Sequence, residues 1–302
     1  MEGKIKPYWL LSALILFLFP LLLSPLILSA QDIIQVKGSD TEVNLVQKLA
    51  EVYLEQRPDV LIAVTGGGSG TGIAALINGK ADLVNSSRAM KDEEIQAAKA
   101  RGIRPTAVIF ALDGLSIIVH PKNSVNSMTL AQLGQIYRGE IKNWAGPGGS
   151  HMAISLYGRQ PNSGTYVYFR DVVLKGDYSA AMKEMNGNAQ IVEAVRRDQG
   201  SIGYVGIGYA VQGGKVIGGI KVLKLARENT APALNPVDPK NIATGQYPLL
   251  RPLYQYTNGF PKGNMLNFIR FELSPEGQKL VQEMGFYPVS LDYQKANKAA
   301  GF

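Results

Sequence analysis

Four times this chain leaves a β-like run through a turn of glycines and hydroxyl residues and enters a helical stretch. The runs are "KGSDTEVNLVQKLAEVY", "VTGGGSGTGIAALINGK", "VNSSRAM" and "YGRQPNSGTYVYF". Strand and helix in alternation predict an α/β fold, with helices flanking mixed sheets. The turns themselves point to ligand chemistry. Glycine lets backbone approach closely and adopt φ > 0, and consecutive amides at a helix start form a concave donor site for anions.

The second run, beginning at Val64, is the densest. Its next nine positions hold five glycines and three hydroxyl residues, and no lysine occurs before Lys80. Ile73, Leu76 and Ile77 then follow at the spacing of one buried helix face, with Gly79 as the stop, which predicts a helix over 72–79. Known anion loops fit it poorly. A Walker loop requires Lys and Ser or Thr after its last glycine, and Ile73 stands after Gly72. A dinucleotide fingerprint fits loosely over Gly70–Ala75, but no strand ending in an acidic residue follows at the required distance. An esterase elbow needs glycine two places after Ser69, where Thr71 stands.

The amino terminus is of another kind. Lys4 and Lys6 precede the nearly uncharged run "WLLSALILFLFPLLLSPLILSA", which predicts an export signal over residues 1–30 with a cut after Ala30. The run is long and Leu28 is a poor residue three places before that cut, so an uncleaved membrane anchor is the alternative. Either way the folded part is expected outside the cytoplasm, in the periplasm or its equivalent. The chain has no cysteine, which removes disulfides, thiolate metal sites, thiol catalysis and lipid attachment at a signal cysteine. His120 and His151 have no metal-like spacing and are expected in loops or at strand ends, so neither a metal nor a cofactor is expected. Beyond residue 30 the chain carries 29 basic and 23 acidic residues, net +6. That modest positive field suits a small anion. No dense Lys/Arg run interleaved with aromatics is present, which argues against nucleic acid.

Further helices are expected over 42–56, 129–138, 164–174, 188–197 and 262–284, and "RENTAPALNPVDPKNIATGQ" reads as a surface loop. "YPLLRPLYQYTN" reads as a strand returning to the first half. That pattern predicts a discontinuous lobe one, residues 32–119 plus 251–302, and an inserted lobe two, residues 120–250.

Ser39 and Glu42 have capping-box spacing, so Ser39 is expected to satisfy a helix start, with spare donors facing a ligand. Arg159, four residues before Ser163-Gly164-Thr165, would bring a forked cation, hydroxyls and amides to one point. With "LGQIYRGEIKNWAG" and "GSIGYVGIGYA", these runs occur in an order and spacing that resemble the phosphate-binding proteins of bacterial high-affinity phosphate ABC transporters, over essentially the whole chain beyond its signal. The resemblance implies a periplasmic-binding-protein fold of two α/β lobes with a two-segment hinge and an oxyanion held between them. It implies a monomeric receptor that delivers inorganic phosphate to a membrane permease. Carried over, the family's ligands fall on Ser39 or Thr41 and on Ser69 from lobe one, and on Arg159, Ser163, Gly164 and Thr165 from lobe two. Ser87 stands where many members place an aspartate that accepts the phosphate proton, so Asp40, the only carboxylate in these turns, is expected to accept it instead. The rival readings are a receptor for another tetrahedral oxyanion, such as sulfate or molybdate, and a secreted phosphatase with Asp40 or Ser69 as nucleophile. No histidine base falls in any of the turns, which weighs against the enzyme.

Overall fold

The alternation is realised in a computed structural model that describes residues 33–302; the expected signal over 1–30 lies outside the described residues. The first part runs β1 (Ile33–Gly38), α1 (Val43–Gln56), β2 (Leu61–Gly67), α2 (Ser69–Ile77), β3 (Leu83–Ser86), α3 (Asp92–Ala100) and β4 (Pro105–Gly114). The middle carries β5 (Ser116–Val119), β6 (Ser127–Thr129), α4 (Leu130–Tyr137), β7 (Ser155–Arg159), α5 (Gly164–Phe169), β8 (Lys183–Met185), α6 (Asn188–Arg197) and β9 (Ser201–Val205). Short strands follow: β10 (Val211–Gln212), β11 (Lys215–Val216), β12 (Lys221–Val222) and β13 (Lys224–Ala226). The chain ends with α7 (Pro239–Ala243), β14 (Leu250–Asn258), α8 (Gly263–Leu273), α9 (Pro275–Glu283) and α10 (Leu291–Ala299). Among the described residues no helix is long and apolar enough to cross a membrane.

Two five-stranded mixed sheets organise these elements, within one compact unit, Asp32–Phe302. The first has the order β2-β1-β3-β14-β4, with β2, β1 and β3 parallel and β14 antiparallel to both its neighbours. The second has the order β12-β5-β9-β7-β8, with β9, β7 and β8 parallel. Each sheet is covered by apolar helix faces. Leu45, Val46, Leu49, Ala50 and Tyr53 of α1 are buried at helical spacing, and the Tyr53 ring lies 5.3 Å from both Phe268 and Phe271 of α8. Burying each large apolar side chain contributes roughly 1.5–3 kcal/mol, so packing rather than helix propensity holds α1 in place. On the opposite face Ile73 and Leu76 of α2 pack with Val84, Met90, Ala98 and Tyr256.

The end of β1 is shaped by Gly38. Its φ is +136°, and a Cβ there would stand 2.1 Å from the Asn85 carbonyl oxygen, so only glycine allows the chain to turn out of the sheet at this point. The Gly38 carbonyl then accepts from Gly68 N (2.9 Å), and Ser39 N donates to Asn85 O (2.9 Å). The ends of β1, β2 and β3 are thereby held side by side, with their following turns on one edge.

Several expected elements shift. α2 begins at Ser69 rather than 72, because Gly68 with φ +95° ends the strand sharply and Gly70 and Gly72 sit inside the first turns. The helix expected over 262–284 breaks at Ser274-Pro275, where proline starts α9 and Ser274 Oγ accepts from Gly277 N (3.1 Å). The stretch expected over 164–174 is α-helical only to Phe169 and continues as a π-helical turn, Arg170–Leu174. The surface loop after β13 contains α7, capped by Asp238. β5, expected within the first lobe, pairs with β9 and β12 in the second sheet. The chain therefore crosses between the sheets at Leu115 and returns at Leu249, and these two residues are joined by a hydrogen bond from Leu115 N to Leu249 O (3.0 Å).

Candidate anion-binding site

Ligands of open α/β sheets gather beyond the carboxyl ends of the strands, and the hydroxyl-rich turns converge there. Thr41, after β1, lies with Oγ1 3.0 Å from Thr165 Oγ1 at the start of α5. Ser87, after β3, places Oγ 3.4 Å from Thr165 Oγ1 and 3.4 Å from Ser69 Oγ. Ser87 N also donates to Ser69 Oγ (3.1 Å). Thr41, Ser69, Ser87 and Thr165 are all buried. Gly164 completes this contact: a Cβ there would fall 2.3 Å from Ser69 Oγ and 2.8 Å from Ser87 Oγ. The absence of a side chain is what lets α5 of the second sheet meet α2 of the first.

Arg159 closes β7 and is 1% exposed. Its guanidinium is fixed by backbone acceptors, Nη2 to Asn186 O (3.0 Å) and Nε to Met185 O (3.3 Å), and Nη2 is also ion-paired with Asp40 Oδ2. Nη1 is buried and has no hydrogen-bond partner among the described residues. A buried donor left without an acceptor costs about 1–3 kcal/mol, more for a charged group, so this nitrogen calls for an acceptor. Asp40 is held from three sides: besides Arg159, Gly67 N donates to Oδ1 (2.7 Å) and Tyr209 OH donates to its carbonyl (2.7 Å). Burial first, and the Asp40 charge second, push the Tyr209 hydroxyl up to about 12, so it remains a donor at neutral pH.

Of the nine residues singled out in the sequence, Asp40 and Arg159 thus meet as a pair, and Thr41, Ser69, Ser87, Gly164 and Thr165 form one cluster. Ser39 and Ser163 are buried beside them. Ser163 Oγ accepts from Tyr166 N (3.4 Å) as the cap of α5. Ser39 does not form the expected capping box. The helix begins one residue past Glu42, Glu42 makes no cap hydrogen bond, and both its carboxyl oxygens are buried without a partner. Burial pushes the Glu42 carboxyl well above the usual carboxylate range. Arg88, next to Ser87, turns its terminal nitrogens to Glu94 at 2.7 and 2.8 Å at the start of α3, and its Nε is buried without a partner among the described residues. His120 accepts from Lys122 N through Nδ1 (3.2 Å) in a turn, and among the described residues no group of three His, Cys, Asp or Glu could hold a metal ion.

Residues that the sequence reading passed over complete the arrangement. Asn162 Nδ2 donates to Gly67 O (2.9 Å) and Thr71 Oγ1 (3.1 Å), while its carbonyl accepts from Gly70 N (2.9 Å). It clips the α5 turn to the glycine loop, and its place inside "GRQPNSGT" was the available signal. Arg251 of β14 donates to Thr165 Oγ1 (3.0 Å) and to Ser87 O (3.1 Å), and is paired with Asp113 at 2.8 Å. An aspartate in the largely apolar strand β4 and an arginine at the buried start of β14 were signals too. The nine residues singled out in the sequence offer hydroxyl, amide and guanidinium donors with one carboxylate, Asp40, a set suited to a protonated oxyanion.

Comparison with known proteins shows the family. Residues 28–276 match the family model described as the PBP superfamily domain. The phosphate-binding protein PstS of Pseudomonas aeruginosa is 35% identical over 283 residues, 87% of this chain and 85% of that protein. PstS of Bacillus subtilis is 30% identical over 256 residues, 84% of this chain and 80% of its own. Among solved structures, a substrate-binding protein of Clostridium perfringens with bound phosphate superposes with a TM-score of 0.75 at 27% identity, over 86% of this chain and 100% of that one. An ABC-type phosphate transport receptor from Vibrio cholerae superposes at 0.67 and 28% identity, over 85% of this chain and 100% of that one. This chain belongs to the PBP superfamily and, within it, to the family of the phosphate-binding proteins PstS.

Proposed function

We propose that this chain is an extracytoplasmic receptor that binds inorganic phosphate between two closing lobes and delivers it to the permease of an ABC transporter. One observation carries the reading: Arg159 Nη1, a buried guanidinium donor without a partner, on a side chain held by Asp40, which the turn after β1 joins to the buried hydroxyl cluster. Phosphate supplies acceptors on its unprotonated oxygens. Its proton would go to Asp40, whose carboxylate has lone pairs beyond those used by Gly67 N and Arg159. A cage made only of donors would favour sulfate, which carries no proton at neutral pH.

The binding set is then Ser39, Asp40, Thr41, Ser69, Ser87, Arg159, Ser163, Gly164 and Thr165, acting as a receptor rather than an enzyme. No cofactor or metal enters, and the receptor works as a monomer, exported by the amino-terminal segment. Lobe one is built on the first sheet and lobe two on the second, with the hinge at the crossings beside Leu115 and Leu249. Drawn this way, β5 goes with lobe two, and the boundary moves from 119 to about 115.

Isothermal titration of the purified chain with phosphate, arsenate, sulfate and molybdate tests the reading. Tight binding of phosphate and arsenate, with sulfate and molybdate far weaker, is expected. Preference for sulfate or molybdate would assign the site to another oxyanion, and no heat with any of the four would overturn it.

A further inference from the structure

Arg251 belongs to neither sheet's hydroxyl turns, yet it touches the centre of the cluster. It lies at the start of β14, where the chain returns to the first sheet, and is 2% exposed. Nε and Nη2 donate to Asp113 Oδ2 (3.0 and 2.8 Å), Nη1 donates to Ser87 O (3.1 Å), and Nη2 also donates to Thr165 Oγ1 (3.0 Å). The guanidinium carbon stands 5.1 Å from the centre of the Tyr168 ring on α5. Asp113 is anchored in turn, because its Oδ1 accepts from Ile207 N (2.8 Å). The pair sits at the two chain crossings between the sheets, which gives it firm support.

Resting on the phosphate reading above, we propose that Arg251 is a positioning residue that commits the Thr165 hydroxyl to act as a donor to the bound anion. A guanidinium has no acceptor, so Thr165 Oγ1 must accept from it. The single Thr165 proton is then left for a bound anion or for the neighbouring Thr41 Oγ1 (3.0 Å) and Ser87 Oγ (3.4 Å), and the positive charge behind the oxygen strengthens that outgoing bond. Ser69 is oriented by the same logic, since Ser87 N takes one of its lone pairs (3.1 Å). Each fixed donor occupies one lone pair of its hydroxyl and so narrows where that hydroxyl's proton can point. An anion held by such hydroxyls meets donors that are already oriented, which lowers the ordering cost of binding.

Removing Arg251 alone would leave Asp113 buried and unpaired, so the test removes both charges. Arg251→Met with Asp113→Asn keeps a carbonyl for Ile207 N and puts no charge in the core. Phosphate affinity is measured by titration calorimetry in this double variant, in Thr165→Val, and in the triple variant, with circular dichroism as the folding control. Loss of the pair is expected to weaken phosphate binding about tenfold when Thr165 is present, and less than about twofold in the Thr165→Val background. The variant Arg251→Lys, which keeps the charge but loses the fork, serves if the double variant does not fold, and the same dependence on Thr165 is expected of it. An unchanged affinity, or an equal loss in both backgrounds, overturns the inference while leaving the phosphate reading intact. A parent chain that takes up no phosphate removes both.

Discussion

On the phosphate reading Arg159 is the residue on which the site turns, because its Nη1 is a charged, buried nitrogen without a partner among the described residues. Arg159→Lys keeps the charge but not the planar fork. Its ammonium cannot serve Asp40, the carbonyls of Met185 and Asn186 and the anion together. We expect phosphate affinity to fall roughly 10- to 100-fold, by the magnitude of a charged hydrogen bond, with little change in melting temperature; unchanged affinity by calorimetry would remove Arg159 from the site. On the same reading Asp40 decides selectivity. Asp40→Asn retains an acceptor for Gly67 N but loses the charge that takes up the ligand's proton, so phosphate is expected to bind more weakly and sulfate to compete far better than in the parent. Sulfate competition equal to the parent's would make Asp40 a structural anchor of the turn only. At this scale the gathering of these side chains was legible in advance, because serine, threonine and arginine beside glycine at strand ends mark turns suited to an anion. Asp40 pairing with Arg159 was not legible, because it joins residues 119 positions apart and depends on how two sheets meet.

Elements succeed or fail here by close approach. Gly164 allows α5 to touch Ser69 and Ser87, and Gly164→Ala is expected to cost at least tenfold in phosphate affinity, because the methyl can be admitted only by displacing the Ser69 and Ser87 hydroxyls or by moving α5 away from α2. Affinity equal to the parent's would show that the two helices need not meet. The start of α1 carries a second testable feature. The folded pKa of Glu42 lies well above its unfolded value, so the folded state holds a proton that the unfolded chain releases, and stability falls as pH rises from the unfolded value toward the folded one. Glu272 is raised by burial in the same sense and adds to the slope. Glu42→Gln, uncharged at every pH, should therefore melt close to the parent near pH 4 and at a higher temperature at pH 8. A parent and variant with parallel melting curves from pH 4 to 8 would contradict the neutral buried carboxyl. The periodic apolar faces of α1, α2, α4 and α6 could be read from spacing, since burial against a sheet is what such spacing serves. The break at Ser274-Pro275 had its signal in the proline itself. The absent capping box did not, because Glu42 matches the pattern and is instead turned into the core.

For the whole molecule, two sheets joined by two adjacent crossings set the expected mechanics. Rotation about Leu115 and Leu249 would open the contact between α5 and the turns of the first sheet, and a bound anion would hold it shut. Adding phosphate is thus expected to reduce the radius of gyration in solution scattering, and no change at saturation would argue against a closing cleft. The sheet membership of β5 shows where pattern alone was insufficient: a short apolar strand fits either sheet, and only its pairing with β9 decides. The central claim is that phosphate sits where Arg159, Asp40 and the four hydroxyls converge. A crystal structure of the chain grown with inorganic phosphate tests this most directly. Phosphate oxygens are expected within hydrogen-bonding distance of Arg159 Nη1, Ser69 Oγ and Thr165 Oγ1, with one oxygen facing Asp40. Phosphate bound elsewhere, with Arg159 Nη1 satisfied by protein atoms alone, would contradict it.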